Sequence, residues 1–367
     1  MRGTLRLRIA LEGWVRGVWY GRGVSAGLAR LLLTPASLGY GLAVRWRNAR
    51  YDTAAAALGA NDLPMLSVGN LTVGGTGKTP VASWFAARLR ARGGRPAIVL
   101  RGYGDDEWRV HALLTPEIPV FRAKARRRAI DEARAAGCDC VVLDDAFQHR
   151  QVPRVSDVVV VSADQWDGQV RLLPTGPWRE PLAALRRASV VVVTGKAVSD
   201  DQREEVQAAL VPWLGSAPVV QLRLRPVALE PAVPGASGGR LSLDALSHGQ
   251  WMAVSAIGDP SAFDRQLHGL GARLNRHWRF PDHHAFTPGE AAALAAEAHG
   301  GTGVVCTLKD AVKLGALWPR AAVPLWYVSQ VLEADRDAGI LERECDRVLA
   351  ARAAQTSPAG ERRSPLH

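Results

Sequence analysis

Cysteine is scarce in this chain. Only Cys138, Cys140, Cys306 and Cys345 occur, at spacings that make neither a zinc pattern nor a secreted disulfide framework. Cys138 and Cys140 lie in an apolar run, so buried free thiols and a reducing compartment are expected. Lysine is scarcer than its charge class suggests: five of the 46 basic residues are Lys, at 78, 124, 196, 309 and 313. A GC-rich coding bias toward Arg is the plain cause, and each remaining Lys is then slightly better suited to a place that needs an ammonium than a guanidinium. There is no clean apolar run of the roughly 20 residues that cross a bilayer. The best stretch, Leu31 to Val44, contains Pro35 and is closed by Arg45 and Arg47. No small-residue cleavage site follows an apolar core, so a signal peptide is not expected. Acid is nearly missing from the first 50 residues, where Glu12 faces nine Arg.

What is present sets the class. The 367 residues are 47% hydrophobic and 22% charged, a globular composition long enough for about two domains. The net charge of +11 points to an anionic partner: phosphate, nucleic acid or a lipid surface. The first 50 residues carry +8 of it (nine Arg minus one Glu). There Arg is mixed with Trp14, Trp19, Tyr20, Leu31, Leu32, Leu33 and Trp46. That mixture suits a segment lying in a membrane interface, rings at headgroup depth and Arg on anionic lipid. A plain amphipathic helix packed on the body is the alternative.

Apolar β-branched runs at Met65–Val68, Ala97–Leu100, Cys140–Leu143, Asp157–Val161 and Ser189–Val193 read as buried parallel strands. Helical patterns fall between some of them; over Thr79 to Arg92, Val81, Trp84, Phe85 and Leu89 share one face and Gly93-Gly94 ends the run. The alternation predicts an α/β fold, a P-loop NTPase-like doubly wound parallel sheet. It predicts a kinase-type domain over 51–225, a Pro/Gly/Ser-rich linker over 226–249 and a smaller C-terminal α/β domain over 250–350. The membrane-surface helix occupies 1–50, and 351–367 reads as a disordered tail.

The chemistry begins at Ser67-Val-Gly-Asn-Leu-Thr-Val-Gly-Gly-Thr-Gly-Lys-Thr-Pro80. A strand runs into a glycine loop, and Lys78-Thr79 opens a helix. Backbone N–H groups of such a loop curl around phosphate oxygens, and the helix N-terminus adds its dipole. The expected cradle is Thr72, Val73, Gly74, Gly75, Thr76, Gly77, Lys78 and Thr79, with Lys78 on the β/γ-phosphates of ATP and the Thr79 hydroxyl on Mg²⁺. The first glycine of the strict G-x-x-x-x-G-K-[ST] pattern is replaced by Thr72. Val73 stands where the deviant loops of partitioning ATPases carry a signature Lys, and Thr307-Leu-Lys-Asp310 lacks the Asn of a guanine-reading N-K-x-D. A kinase of a small acceptor remains.

The loop closely resembles that of the tetraacyldisaccharide 4'-kinase family. Six further segments match in the same order: Arg101-Gly-Tyr-Gly104, Asp144-Asp-Ala-Phe-Gln-His149, Leu173-Pro-Thr-Gly-Pro-Trp-Arg-Glu-Pro181, Ile257-Gly-Asp-Pro260, Phe280-Pro-Asp-His-His284 and Thr307-Leu-Lys-Asp-Ala-Val-Lys313. The resemblance implies Mg-ATP-dependent phosphorylation of the 4'-hydroxyl of a lipid A disaccharide 1-phosphate. It also implies an enzyme on the cytoplasmic face of the inner membrane, so that the basic surplus meets an anionic membrane surface and no nucleic acid. A P-loop kinase or ATPase for another acceptor is the alternative, and a nucleotide-gated scaffold without turnover is a third.

Asp144 and Asp145 end a strand beside the loop, where Mg²⁺ or its waters are held; the resemblance assigns both to the nucleotide–metal site. Glu180 is placed in the same metal shell, and Arg179 is placed against charge on the transferred phosphoryl group; a turn-fixing salt bridge is their alternative. For the acceptor, the resemblance points to Asp106, followed by Glu107, polarised by His283. Asp105 and His284 are the competing positions, because the segment after Tyr103 is shorter than the family pattern. Two further departures are Ala146 for a Gly, which matters only at positive φ, and Leu308 for an acid. Arg122, Lys124, Arg126, Arg127 and Arg128 form a basic cluster that suits either a solvated helix start or a grip on phosphate or lipid headgroups.

Overall fold

The structure is a computed structural model; it describes residues 2–53, 62–102, 106–233, 235, 239–334 and 337–356. In chain order the elements are helices α1 (Arg2–Tyr20) and α2 (Val24–Thr53), strand β1 (Met65–Asn70), α3 (Lys78–Ala91), β2 (Pro96–Leu100), α4 (Glu107–Leu114), β3 (Val120–Arg122), α5 (Arg126–Ala135), β4 (Cys140–Asp144), β5 (Ser156–Ser162) and β6 (Val190–Gly195). Then follow α6 (Asp200–Leu210), β7 (Val219–Pro231), β8 (Trp251–Ser255), α7 (Pro260–Gly269), β9 (Leu274–Arg279), α8 (Pro288–Glu297), β10 (Gly303–Cys306), α9 (Leu308–Leu314), β11 (Leu325–Ala334) and α10 (Ala338–Thr356).

Among the described residues all eleven strands join one sheet, ordered β3-β2-β4-β1-β5-β6-β7-β11-β10-β8-β9. Pairing is parallel throughout except between β7 and β11. Each parallel half is wound by helices on both faces, as the hydrophobic runs require: the strands are buried on both sides and must be covered on both. Alternate residues of β1, Leu66 and Val68, pack with Val81, Phe85 and Leu89 of α3. Met65 points the other way, onto Ala129, Ile130 and Ala133 of α5. This places β1 centrally, so the chain leaving its carboxyl end emerges at the middle of the sheet edge, where such folds bind ligands.

Two boundaries differ from expectation. The stretch read as a linker from 226 is strand for its first six residues, because β7 continues to Pro231. Pro226 lies opposite Gln330 at a register shift in the β7–β11 ladder, a place where a missing N–H is tolerated. The C-terminal helix, assigned to the smaller domain, packs on the first half instead. Its stripe Leu341, Cys345 and Val348 shares one core with Leu66, Val81 and Phe85, at the i, i+4, i+7 spacing of a helix face. Residues to 356 are helical, and the remainder of the expected tail lies outside the described residues.

The N-terminal segment also differs in detail. Pro35 sits inside the 30-residue helix α2 without ending it. Loss of its N–H removes one helical bond, and contacts to the body hold the segment. Ser37 Oγ donates to Leu172 O at 3.1 Å, Tyr40 Oη to Arg179 O at 3.0 Å and Asn48 Nδ2 to Glu180 Oε2 at 2.7 Å. The opposite stripe, Leu28, Leu31, Leu38, Leu42 and Trp46, is exposed. Among the described residues α2 is the one helix long and apolar enough, by length and composition, to cross a membrane.

Candidate functional site

Strand β1 ends in Asn70, and the loop to α3 is shaped by two glycines at positive φ, Gly74 (120°) and Gly77 (86°). Such angles strain any residue with a Cβ. Thr72 and Val73, expected in the cradle, brace it from outside. Val73 N–H donates to Pro177 O at 2.8 Å, Thr72 O accepts from Arg179 Nε at 3.0 Å, and Thr72 bridges Trp178. That pairing explains how Thr stands at the strict pattern's first glycine. Thr76 is tied inward as well: its N–H donates to Gly74 O at 3.1 Å and its hydroxyl oxygen accepts from Asn70 Nδ2 at 3.1 Å. Directly after Gly77, Lys78 and the buried Thr79 open α3.

At the tip of β4, Asp144 is 2% exposed. Its Oδ1 accepts the Asp145 N–H at 2.8 Å and its Oδ2 meets His111 Nε2 at 3.0 Å. Burial raises this carboxyl, but the His111 hydrogen bond and charge and then Lys78 bring it below its ordinary value. Asp145 has φ of 51° and lies between Lys78 Nζ at 3.6 Å and Arg179 at 3.1 Å. Burial is again outweighed, here by Lys78 and Arg179, and Asp145 is held well below the carboxylate range. Arg179 also donates to Asn70 Oδ1 at 2.6 Å. Ala146 takes no positive φ, so the Gly-to-Ala departure costs nothing; the left-handed residue is Asp145.

Glu180 is a correction. It is fully buried, but its carboxylate meets Asn48 at 2.7 Å, Arg187 at 3.0 Å and Arg47 at 3.5 Å. It fixes α2 to the turn after Trp178 and does not join Lys78 and Asp145. The third acid of the loop region is Glu107, at the start of α4, 3.6 Å from Lys309. Burial raises its pKa, with Lys309 opposing and Asp144 reinforcing the rise. Sequence reasoning saw it only as the neighbour of Asp106; its facing Asp144 depends on α4, which was not foreseen.

Asp106 and His283, 177 positions apart, meet: His283 Nδ1 lies 3.1 and 3.0 Å from the two Asp106 carboxylate oxygens. Asp106 occupies the N-cap of α4 yet makes no cap hydrogen bond, forgoing a contact worth about 1 kcal/mol to face the imidazole. His283 adopts φ of 56°, a strained angle of the kind that clusters at functional sites. Lys313 Nζ is 3.9 Å from Asp106. Burial raises the Asp106 carboxyl, but His283, Lys309 and Lys313 together hold it well below the usual range. The hydrogen bond that His283 donates to Asp106 raises the imidazole against its burial. His284 turns away, 3.2 Å from Glu290 and stacked on Phe280. Asp105 lies outside the described residues.

The dyad loop abuts the phosphate loop. A Cβ placed on Gly258 would come within 2.9 Å of Asp282 Oδ2 and 3.4 Å of Gly74 Cα, so the chain at Gly258 packs closely between the two loops. The N-terminal helices close the same region: Glu12 accepts the Asp282 N–H at 3.1 Å, and Arg16 pairs with Asp259 at 3.3 Å. Of the basic cluster, Arg126 is buried and donates to Asp144 O at 2.9 Å and Asp145 O at 2.6 Å. Arg127 and Arg128 pair with local acids at the surface. Leu308 lines an apolar cavity of about 290 Å³ with Trp108 and Tyr327, beside Lys309.

No group of three or more His, Cys, Asp or Glu among the described residues holds a metal by itself. The adjacent carboxylates of Asp144 and Asp145 at the tip of β4, and the Thr79 hydroxyl at the start of α3, are donors of the type Mg²⁺ takes: one or two carboxylates, with the shell completed by phosphate oxygens and water.

Comparison with known proteins gives one consistent result. The model of the LpxK family, tetraacyldisaccharide-1-P 4'-kinase, matches residues 29–349. A tetraacyldisaccharide 4'-kinase of Anaeromyxobacter sp. (strain K) is 40% identical, covering 92% of this chain and 94% of that one. One of Halorhodospira halophila is 33% identical, covering 87% and 92%. The crystal structure of LpxK from Aquifex aeolicus in complex with ATP aligns with a TM-score of 0.67 at 25% identity, covering 87% of this chain and 99% of that one.

Proposed function

The chain belongs to the tetraacyldisaccharide 4'-kinase family, and we propose that it transfers the terminal phosphoryl group of ATP to the 4'-hydroxyl of the lipid A tetraacyldisaccharide 1-phosphate. The observation that carries the reading is the Asp106–His283 pair, at 3.0 Å and 3.1 Å, standing beside a phosphate loop. A dyad that accepts a proton next to a cradle that holds phosphate is what transfer to an alcohol needs.

In this reading Lys78 and the backbone of Gly74–Gly77 hold the ATP phosphates. Thr79, Asp144 and Asp145 would hold Mg²⁺, which neutralises phosphate charge when bound. Arg179, fixed by Asn70 and Asp145, offsets charge on the phosphoryl group in transit. Asp106 accepts the hydroxyl proton as the oxygen attacks. His283 orients the carboxylate and, carrying its own proton, balances its charge. Positioning of the two substrates contributes more than proton removal in this chemistry.

The membrane side follows from α2. One stripe of α2 is docked on the body and the other exposes Leu and Trp, which supports a helix lying in the membrane interface with its Arg residues on anionic lipid, and the proposed use of ATP supports the cytoplasmic leaflet. That orientation brings the docked side, with Tyr40 on Arg179, against the site, where a lipid acceptor would enter from the bilayer.

The test offers labelled ATP to a panel: the tetraacyldisaccharide 1-phosphate, soluble disaccharides, and nucleosides. Label is expected in the lipid alone. Label in a soluble acceptor, with the lipid unmodified, would return the kinase for another acceptor; ATP binding with no transfer to any acceptor would return the scaffold.

A further inference from the structure

His111 lies on α4, one turn beyond Glu107, and is fully buried. Its Nδ1 is 2.7 Å from Ser83 Oγ on α3, the helix that Lys78 opens, and its Nε2 is 3.0 Å from Asp144 Oδ2. Because a carboxylate can only accept, Nε2 carries a proton and donates it to Asp144. One residue therefore ties three elements together: α4, at whose N-terminus Asp106 stands, α3, which follows the glycine loop, and the tip of β4.

We propose that His111 is a positioning residue that aims Asp144 at the nucleotide-bound cation and locks the proton-acceptor helix to the phosphate side of the site.

The geometry of Asp144 supports this. An ionised carboxylate offers about four lone-pair sites. Here the Asp145 N–H takes one on Oδ1 and His111 takes one on Oδ2, so the carboxylate is held at both oxygens while each keeps a lone pair for another partner. Histidine or another donor behind a metal-facing carboxylate raises its precision as a ligand, and losing such a partner typically costs about 10- to 100-fold in metal affinity or activity. The Ser83 hydroxyl in turn holds the imidazole, as it is buried with it.

The proposal rests on the Mg-ATP kinase reading, and its test uses no lipid, so its failure is separate from failure of the acceptor assignment. The full-length protein is titrated calorimetrically with a non-hydrolysable ATP analogue at a series of Mg²⁺ concentrations and in EDTA. His111→Ala is expected to raise the half-saturating Mg²⁺ concentration about 10- to 100-fold and leave binding in EDTA unchanged. In His111→Gln the amide nitrogen reaches the place of Nε2, and the Mg²⁺ dependence returns to near the wild-type value; His111→Asn is too short and behaves as the Ala variant. If the Ala variant does not fold, the Gln and Asn pair carries the comparison. Unchanged Mg²⁺ dependence in all folded variants, or equal shifts in Gln and Asn accompanied by equal losses in melting temperature, would reduce His111 to a packing residue.

Discussion

Replacing Asp106 by Asn keeps the shape of the side chain and removes its charge. The native carboxylate is 2% exposed, and its pairing with His283 at 3.0 Å is charge-assisted. Such a bond contributes roughly 1.5–3 kcal/mol; the lower end applies here because the His283 side chain is 42% exposed. The amide oxygen of the variant still accepts from the imidazole, so Asp106→Asn should fold with a small loss. The chemical loss is larger. A positioned general base contributes about 10²- to 10⁴-fold, or roughly 3–5 kcal/mol of barrier. Initial rates with saturating lipid and Mg-ATP should show kcat reduced within that range, and calorimetry should show ATP affinity nearly unchanged, because Lys78 pairs with Asp145 and not with Asp106. The pH dependence carries a second signature. Asp106 is held below the ordinary carboxylate value, so its contribution is present above about pH 4 and lost as pH falls through its lowered folded value. His283 is raised, so its contribution is full below about pH 6.5 and lost as pH rises through its raised folded value. The ion pair therefore spans at least the window between those pH values. A kcat in Asp106→Asn within tenfold of wild type, at unchanged melting temperature, would refute the assignment of Asp106 as the proton acceptor.

Three other outcomes are expected. Glu180→Ala leaves Arg187 and Arg47 without their buried partner, and breaking such a pair costs up to about 3–5 kcal/mol, less here because Arg47 is partly exposed; thermal unfolding should drop by several degrees with the Mg²⁺ dependence of turnover unchanged, and a shifted Mg²⁺ dependence would return Glu180 to the metal site. Changing Leu31, Leu38 and Leu42 together to Ser removes the exposed apolar stripe of α2; flotation with anionic vesicles should lose most of the bound protein, while ATP binding persists, and unchanged flotation would remove the membrane role of α2. Lys78→Ala should abolish transfer and weaken binding of the ATP analogue by at least about tenfold, the loss of one charge-assisted phosphate contact; unaltered affinity would argue against the loop as the phosphate site.

The glycine loop was legible in the sequence. The loop and its flanking strand and helix declare themselves because glycine at positive φ, a buried apolar run and a helix start are all local signals, and the structure places Gly74, Gly77 and Lys78 accordingly. The pairing of Asp106 with His283 was legible only through the family resemblance, since nothing within either segment indicates a contact across 177 positions. Glu180 misled because an acid beside Arg179 in a Gly/Pro turn reads the same whether it faces a metal or a helix; its partners Arg47 and Asn48 come from α2, far away in sequence. Helix α4 was missed, and with it His111 and the direction of Glu107, because eight residues with a single buried stripe of Val110 and His111 carry too little periodicity. Pro226 and its Gly/Ser-rich surroundings looked like a domain boundary, yet an edge-tolerant bulge lets the strand run on.

The most direct measurement is the structure of the product. The purified chain, given Mg-ATP and tetraacyldisaccharide 1-phosphate in mixed micelles, should yield a bisphosphate whose new phosphorus couples to the proton on carbon 4' in two-dimensional ³¹P–¹H spectra. Hydrolysis of ATP with the lipid recovered unchanged, or a phosphate on any other hydroxyl, would contradict the account.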